Sequence, residues 1–110
     1  MLGTGDGGIY STAADLSRFW AAVFAGEIVS VDAVAEMVRA RSDWPEEKRR
    51  YGLGFHLHET TDVVWLEGYD AGVSFTSTHE ADRRITATVI SNTAESAWPF
   101  VQLLDRELGI

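Results

Sequence analysis

The hydrophobic period changes along the chain. Between residues 12 and 38 apolar side chains recur at the three-and-four spacing of a helix face; from Tyr51 to Ser91 they alternate with period two; after Ser96 the helical spacing returns. A chain written in this order cannot interleave strands and helices into a doubly wound parallel sheet. It is expected to be α+β, with two N-terminal helices and a C-terminal helix packed on an antiparallel sheet of three to four strands.

The first helix is expected to begin after Thr12, which can cap an orphan backbone N–H, with Asp15 near the positive helix end. Leu16, Phe19, Trp20, Val23 and Phe24 form its apolar stripe, and Gly26 stands where a left-handed C-terminal residue belongs. Ser30 is placed to cap a second, shorter helix whose Val31, Val34, Met37 and Val38 share a face, ending before Ser42-Asp43-Trp44-Pro45. Trp44 is read there as a loop tryptophan covering a helix end. Ahead of both helices, Gly3-Thr4-Gly5-Asp6-Gly7-Gly8 reads as a tight turn; it lacks the lysine and preceding strand of a phosphate-binding loop.

Tyr51 to His58 alternates Tyr51, Leu53, Phe55 and Leu57 against Gly52, Gly54, His56 and His58, and is read as one strand. Its glycine face predicts close approach by a helix or a bend beside a neighbouring strand. Val63 to Leu66 reads as a short strand, and Val73–Thr78 with Arg84–Ser91 as an antiparallel hairpin. Ser96 precedes the last helix, with Trp98, Val101, Leu104, Asp105 and Leu108 recurring around it.

Composition narrows the function. The net charge is −8 over 110 residues, the reverse of the basic footprint of a nucleic-acid binder, so no nucleic-acid partner is expected. Lys48-Arg49-Arg50 follows Glu46-Glu47 and reads as a solvated, locally neutral connector. No cysteine is present, which excludes disulfides and thiolate metal sites, and no apolar run approaches the ~20 residues of a membrane span. None of this fixes a compartment. His56 and His58 share a strand face and could take a metal with His79 or Glu59 as further ligands, but nothing in the spacing gathers the set, so no metal is assigned.

A serine nucleophile needs a base within hydrogen-bonding reach. There is no Gly-x-Ser-x-Gly elbow, and the only lysine, Lys48, has Pro45 three positions before it, so no Ser-x-x-Lys pair exists either. None of the eight serines is singled out as a nucleophile.

Four segments in order nevertheless carry a resemblance. Gly7-Gly8-Ile9-Tyr10-Ser11-Thr12-Ala13-Ala14-Asp15-Leu16-Ser17-Arg18-Phe19, Tyr51-Gly52-Leu53-Gly54-Phe55, Asp70-Ala71-Gly72-Val73-Ser74-Phe75 and Val89-Ile90-Ser91-Asn92 resemble the C-terminal part of the serine β-lactamase and penicillin-binding-protein family, in its class C, esterase and D-aminopeptidase-like branch. The resemblance covers nearly the whole chain. It implies a hydrolase that cleaves an amide, ester or lactam through an acyl-enzyme, acting on a small-molecule substrate without a cofactor.

Counting back from Gly72, the family's third active-site motif falls on Leu66, Glu67 and Gly68, with Leu66 at the usual His or Lys; a shift by one would put Glu67 there. The resemblance makes these three the substrate-binding positions and the backbone N–H of Tyr69 the oxyanion donor. It also implies that the Ser-x-x-Lys nucleophile and the Tyr-x-Asn or Tyr-x-Ser element belong to an N-terminal half, so residues 1–110 are expected to be a single partial domain, inactive alone. Its uncovered apolar surface is then expected to be hidden by homo-oligomerisation or to leave the chain marginally stable. The alternative is a non-catalytic binding module that keeps the scaffold, as Leu66 in the third motif allows. The substrate is not named by these residues.

Overall fold

The computed structural model describes residues 3–4 and 7–110. Near its start Thr4 and Gly7 exchange backbone hydrogen bonds of 2.9 and 3.3 Å, a tight turn as expected, although its central Gly5 and Asp6 lie outside the described residues.

Helix α1 spans Ala13–Phe24, and the Thr12 hydroxyl accepts from the Asp15 N–H. Helix α2 spans Val31–Met37, capped in the same way by Ser30, whose side chain accepts from the Ala33 N–H. Six antiparallel strands follow: β1 Ser42–Trp44, β2 Arg49–Tyr51, β3 His56–His58, β4 Val64–Asp70, β5 Val73–Glu80 and β6 Ile85–Ser91. They pair in sequence order as a meander, and α3, Ala97–Leu108, completes the chain. The α+β architecture stands, with more strands than the three to four expected.

The difference has two local causes: Ser42–Trp44, read as the loop after α2, is strand β1 and pairs with β2, and the 51–58 strand is split. Tyr51 to His58 is not one strand but a hairpin, in which Arg49, Arg50 and Tyr51 pair with His58, Leu57 and His56. The Gly52 N–H donates to the Phe55 carbonyl at 2.9 Å, turning the chain where continuous alternation was expected. Gly52 also sits against the end of α2: a Cβ built on it would lie 2.1 Å from the Met37 carbonyl oxygen. The glycine face thus does admit a helix end, and the same Met37 oxygen accepts from the Leu53 N–H at 2.8 Å.

Two faces of the sheet are covered differently. On one, Trp20, Val23 and Val34 from the helices meet Phe55, Leu57 and Val64 in a continuous core. Trp20 is wholly buried, its ring 5.5 Å from Phe55 and 5.4 Å from His79, which stacks on it. Its indole N–H donates to Ser77 Oγ at 2.8 Å, and Ser77 in turn bonds Thr88 Oγ1 at 2.9 Å, so the indole and these two hydroxyls are satisfied. On the other face lies α3. Its first turn is fixed by Ser74, whose hydroxyl donates to the Thr93 carbonyl at 2.7 Å and accepts from the Ala97 N–H at 3.3 Å.

Candidate functional site

The site grows from the mismatch in length between β3 and β4. Strand β4 has seven residues, yet β3 pairs only with Val64 and Trp65. The other edge of β4 is paired with β5 over its whole length, Val64 to Asp70. From Leu66 onward, therefore, one edge of β4 has no strand beside it among the described residues.

Which backbone groups point out of that edge follows from the ladder. The His58 N–H donates to the Val63 carbonyl at 2.9 Å, so odd-numbered residues direct their backbone groups toward β3. Continued along β4, the same alternation aims the N–H and C=O of Glu67 and Tyr69 past the end of β3, into the open.

The side chains alternate across the sheet. Leu66 packs half-buried against the core that α1 and α2 cover, and Gly68 lies against the Phe75 ring, 3.3 Å from where its Cβ would stand. Glu67 projects to the α3 side, paired across the sheet with Thr76. The third-motif positions are thus divided between two faces. Neither Leu66 nor Glu67 takes the place of a cation at the open edge.

Glu67 is firmly held. Its Oε1 accepts from Arg49 Nη1, and its Oε2 accepts from the Trp65 indole N–H at 3.2 Å. The Arg49 guanidinium carbon lies 5.3 Å from the Trp65 ring centre and 5.9 Å from that of Trp44, so the cation is clasped between two indoles. The expected solvated connector is therefore a half-buried anchor, because an arginine on β2 can lay its fork across β3 to reach Glu67 on β4. Trp44, at the end of β1, lies over Arg49. Arg50 reaches the His58 carbonyl at 2.9 Å, leaving Lys48 as the exposed member of the run.

His56 stacks on Trp65 with ring centres 5.5 Å apart, and its Nε2 is 3.8 Å from Glu67 Oε1. Burial pushes its pKa below the ordinary imidazole value; Glu67 opposes that shift and Arg49 reinforces it. His58 instead accepts at Nδ1 from the Thr60 and Thr61 N–H groups, both at 3.2 Å, closing a turn. His79 lies on the opposite face, bonded through Nδ1 to Thr86 Oγ1 at 2.8 Å, and burial lowers its pKa. The three histidines are not brought together, and no group of three or more His, Cys, Asp or Glu that could hold a metal ion occurs among the described residues.

Beside the open edge is a cleft of about 470 Å³ lined by His56, Glu67, Gly68, Tyr69 and Trp98. Tyr69 and Trp98 meet edge to face, ring centres 6.2 Å apart. Sequence reasoning placed Glu67, Gly68 and Tyr69 here but missed Arg49, Trp65 and Trp98. The available signal was the tryptophans: three of the four lie outside the helical stripe that absorbs Trp20.

A family model described as beta-lactamase matches residues 1–108. The chain belongs to the beta-lactamase family. Among solved structures it is similar to a penicillin binding protein from Bacillus halodurans, with a TM-score of 0.87 and 23% identity, over 96% of this chain and 33% of that one. It is also similar to a D-stereospecific amidohydrolase from Streptomyces sp., with a TM-score of 0.70 and 21% identity, over 91% of this chain and 31% of that one. This beta-lactamase-family chain therefore spans about a third of the length of either structure. No curated protein matches it. No helix in the described residues is long and apolar enough to cross a membrane.

Proposed function

We propose that residues 1–110 form the C-terminal segment of a β-lactamase-like serine hydrolase, one partial domain that supplies the sheet wall of an acyl-transfer site. The observation that carries this reading is the open upper edge of β4. There the Tyr69 N–H is placed to donate to a carbonyl oxygen as negative charge develops on it. The Glu67 backbone offers a second attachment for the same substrate, a small-molecule amide, ester or lactam.

In this reading a serine from a Ser-x-x-Lys element outside residues 1–110 attacks the carbonyl, its proton passing to the neighbouring base. The tetrahedral oxyanion is held at Tyr69; as it collapses the base returns the proton to the amine or alcohol, which departs (or, from a lactam, stays tethered on the opened ring) and leaves an ester on the serine that water then hydrolyses. The anchoring of Glu67 by Arg49 and Trp65 supports a rigid β4. Large apolar side chains at the surface, among them Ile9, Tyr10, Phe100 and Leu103, suit a segment that other residues or a second copy would cover.

A second reading, a non-catalytic binding module, is favoured by Leu66, which sits in the core where the family places a polar group. The two part at the nucleophile: a longer protein with Ser-x-x-Lys is the hydrolase, and one with glycine or alanine at that serine is the binding module.

The 110-residue chain alone is expected to give no covalent adduct with a fluorophosphonate or benzylpenicillin, read by intact-protein mass. A stoichiometric adduct would overturn the assignment of the nucleophile to residues outside this chain.

A further inference from the structure

A second cavity, of about 200 Å³, lies between α3 and the sheet and shares only Glu67 with the cleft beside β4. Val101 and Asp105 of α3 roof it, and Arg49, Trp65 and Thr76, from three different strands, form its floor. It has room for about six waters at ~30 Å³ each, or for one substituted ring.

Two buried polar atoms of this floor, Arg49 Nε and Thr76 Oγ1, have no hydrogen-bond partner in the protein. Thr76 is 4% exposed, so bulk solvent does not serve its hydroxyl. The neighbouring buried hydroxyls of β5, Ser74 and Ser77, are both bonded. Arg49 gives Nη1 to Glu67, and its Nη2 is 3.8 Å from Glu47 Oε2, which leaves the Nε–H as a donor with no acceptor. A buried donor in that position carries its full desolvation cost until something accepts from it.

The roof supplies the opposite chemistry. Among the described residues no hydrogen bond reaches the Asp105 carboxylate, and burial pushes its pKa above the ordinary carboxylate value, with nearby His58 opposing the shift. The floor therefore calls for an acceptor and the roof for a donor.

A charged occupant does not suit this pair of demands. Arg49 is already paired with Glu67, so an anion would face Asp105 and Glu67, and a cation would face the Arg49 N–H. A carbonyl oxygen beside an N–H meets both demands without charge. Val63, Val101 and Trp65 offer apolar surface to the body that carries it.

We propose that the cavity under α3 binds a small uncharged carboxamide on a planar apolar body, its carbonyl oxygen accepting from Arg49 Nε and Thr76 Oγ1 and its N–H groups donating to Asp105. Binding there needs no nucleophile, so its test is independent of the hydrolase reading.

Benzamide, benzoate and benzamidinium share one shape and differ in charge and in their donors and acceptors. Titrated against the 15N-labelled chain, benzamide is expected to shift the Arg49 Nε–H, the Trp65 indole N–H and the Thr76 amide. It is expected to bind about tenfold tighter than either ion, the factor that one unmatched buried polar group imposes. Thr76→Val exchanges the hydroxyl for a methyl and should weaken benzamide by about the same tenfold factor, whereas Thr76→Ser should restore the affinity. Val101→Phe fills the cavity from the roof, leaves both unpartnered atoms in place and is expected to abolish the shifts.

No shift of these three N–H groups with benzamide would overturn the proposal. Equal affinity for the three compounds, or tighter binding of either ion, would overturn the recognition of an uncharged amide. Unchanged benzamide affinity in both Thr76→Val and Val101→Phe would overturn the assignment to this cavity.

Discussion

Replacing Trp20 with alanine is expected to cost this chain about 3–5 kcal/mol, the range for deleting a large buried aromatic. Trp20 has no exposed surface and touches the rings of Phe19, Phe24, Phe55 and His79, so one residue on α1 joins that helix to the turn before β3 and to β5. Its removal would also leave Ser77 Oγ without the indole donor, although Thr88 still bonds it.

A domain of this size has a total stability of roughly 5–15 kcal/mol, so the substitution removes from about a fifth of it to all of it. Trp20→Phe keeps most of the ring contacts and should lose about 1–2 kcal/mol. Urea unfolding followed by far-ultraviolet circular dichroism measures both. A loss below about 1 kcal/mol for the alanine variant would mean that α1 is not seated on the sheet by this residue.

Gly52→Ala is the second large effect. The added methyl would sit 2.1 Å from the Met37 carbonyl oxygen, a backbone atom that no rotamer change can move. Either α2 withdraws or the β2–β3 hairpin opens, and both routes strain the 2.8 Å bond from the Leu53 N–H to that same oxygen. The cost is expected to reach about 3 kcal/mol, the upper end for overpacking a fitted site.

Gly54→Ala is the matched control. Nothing lies within 4 Å of its Cβ position, but its φ is +83°, so the expected cost is the left-handed backbone penalty of about 1–2 kcal/mol. Equal midpoints for the two variants would contradict the close approach at Gly52.

Much of this fold could be read from the chain. The caps at Thr12 and Ser30 and the stripe centred on Trp20 are local signals, and each formed as its spacing implied. The β5–β6 hairpin was legible for the same reason, since alternation is written into each strand. Three features were not.

Tyr51 to His58 alternates perfectly, yet Gly52 and Gly54 break it into a turn. Period-two spacing cannot distinguish a strand from a hairpin whose tip keeps the pattern. The Arg49 anchor was invisible because its partners, Glu67 and Trp65, lie on β4, two strands away in the sheet; a run of charges looks solvated until the sheet brings its counter-charge alongside. At the site, residues 66–69 were found by counting from Gly72. Their division between two faces, with Leu66 in the core and Glu67 under α3, came only with the register.

The proposal that this chain is the sheet wall of a serine hydrolase is tested most directly by reading the coding DNA upstream of the Met1 codon in frame. The account predicts a continuous open frame encoding Ser-x-x-Lys followed by Tyr-x-Asn or Tyr-x-Ser. An in-frame stop codon beside a ribosome-binding site would contradict it.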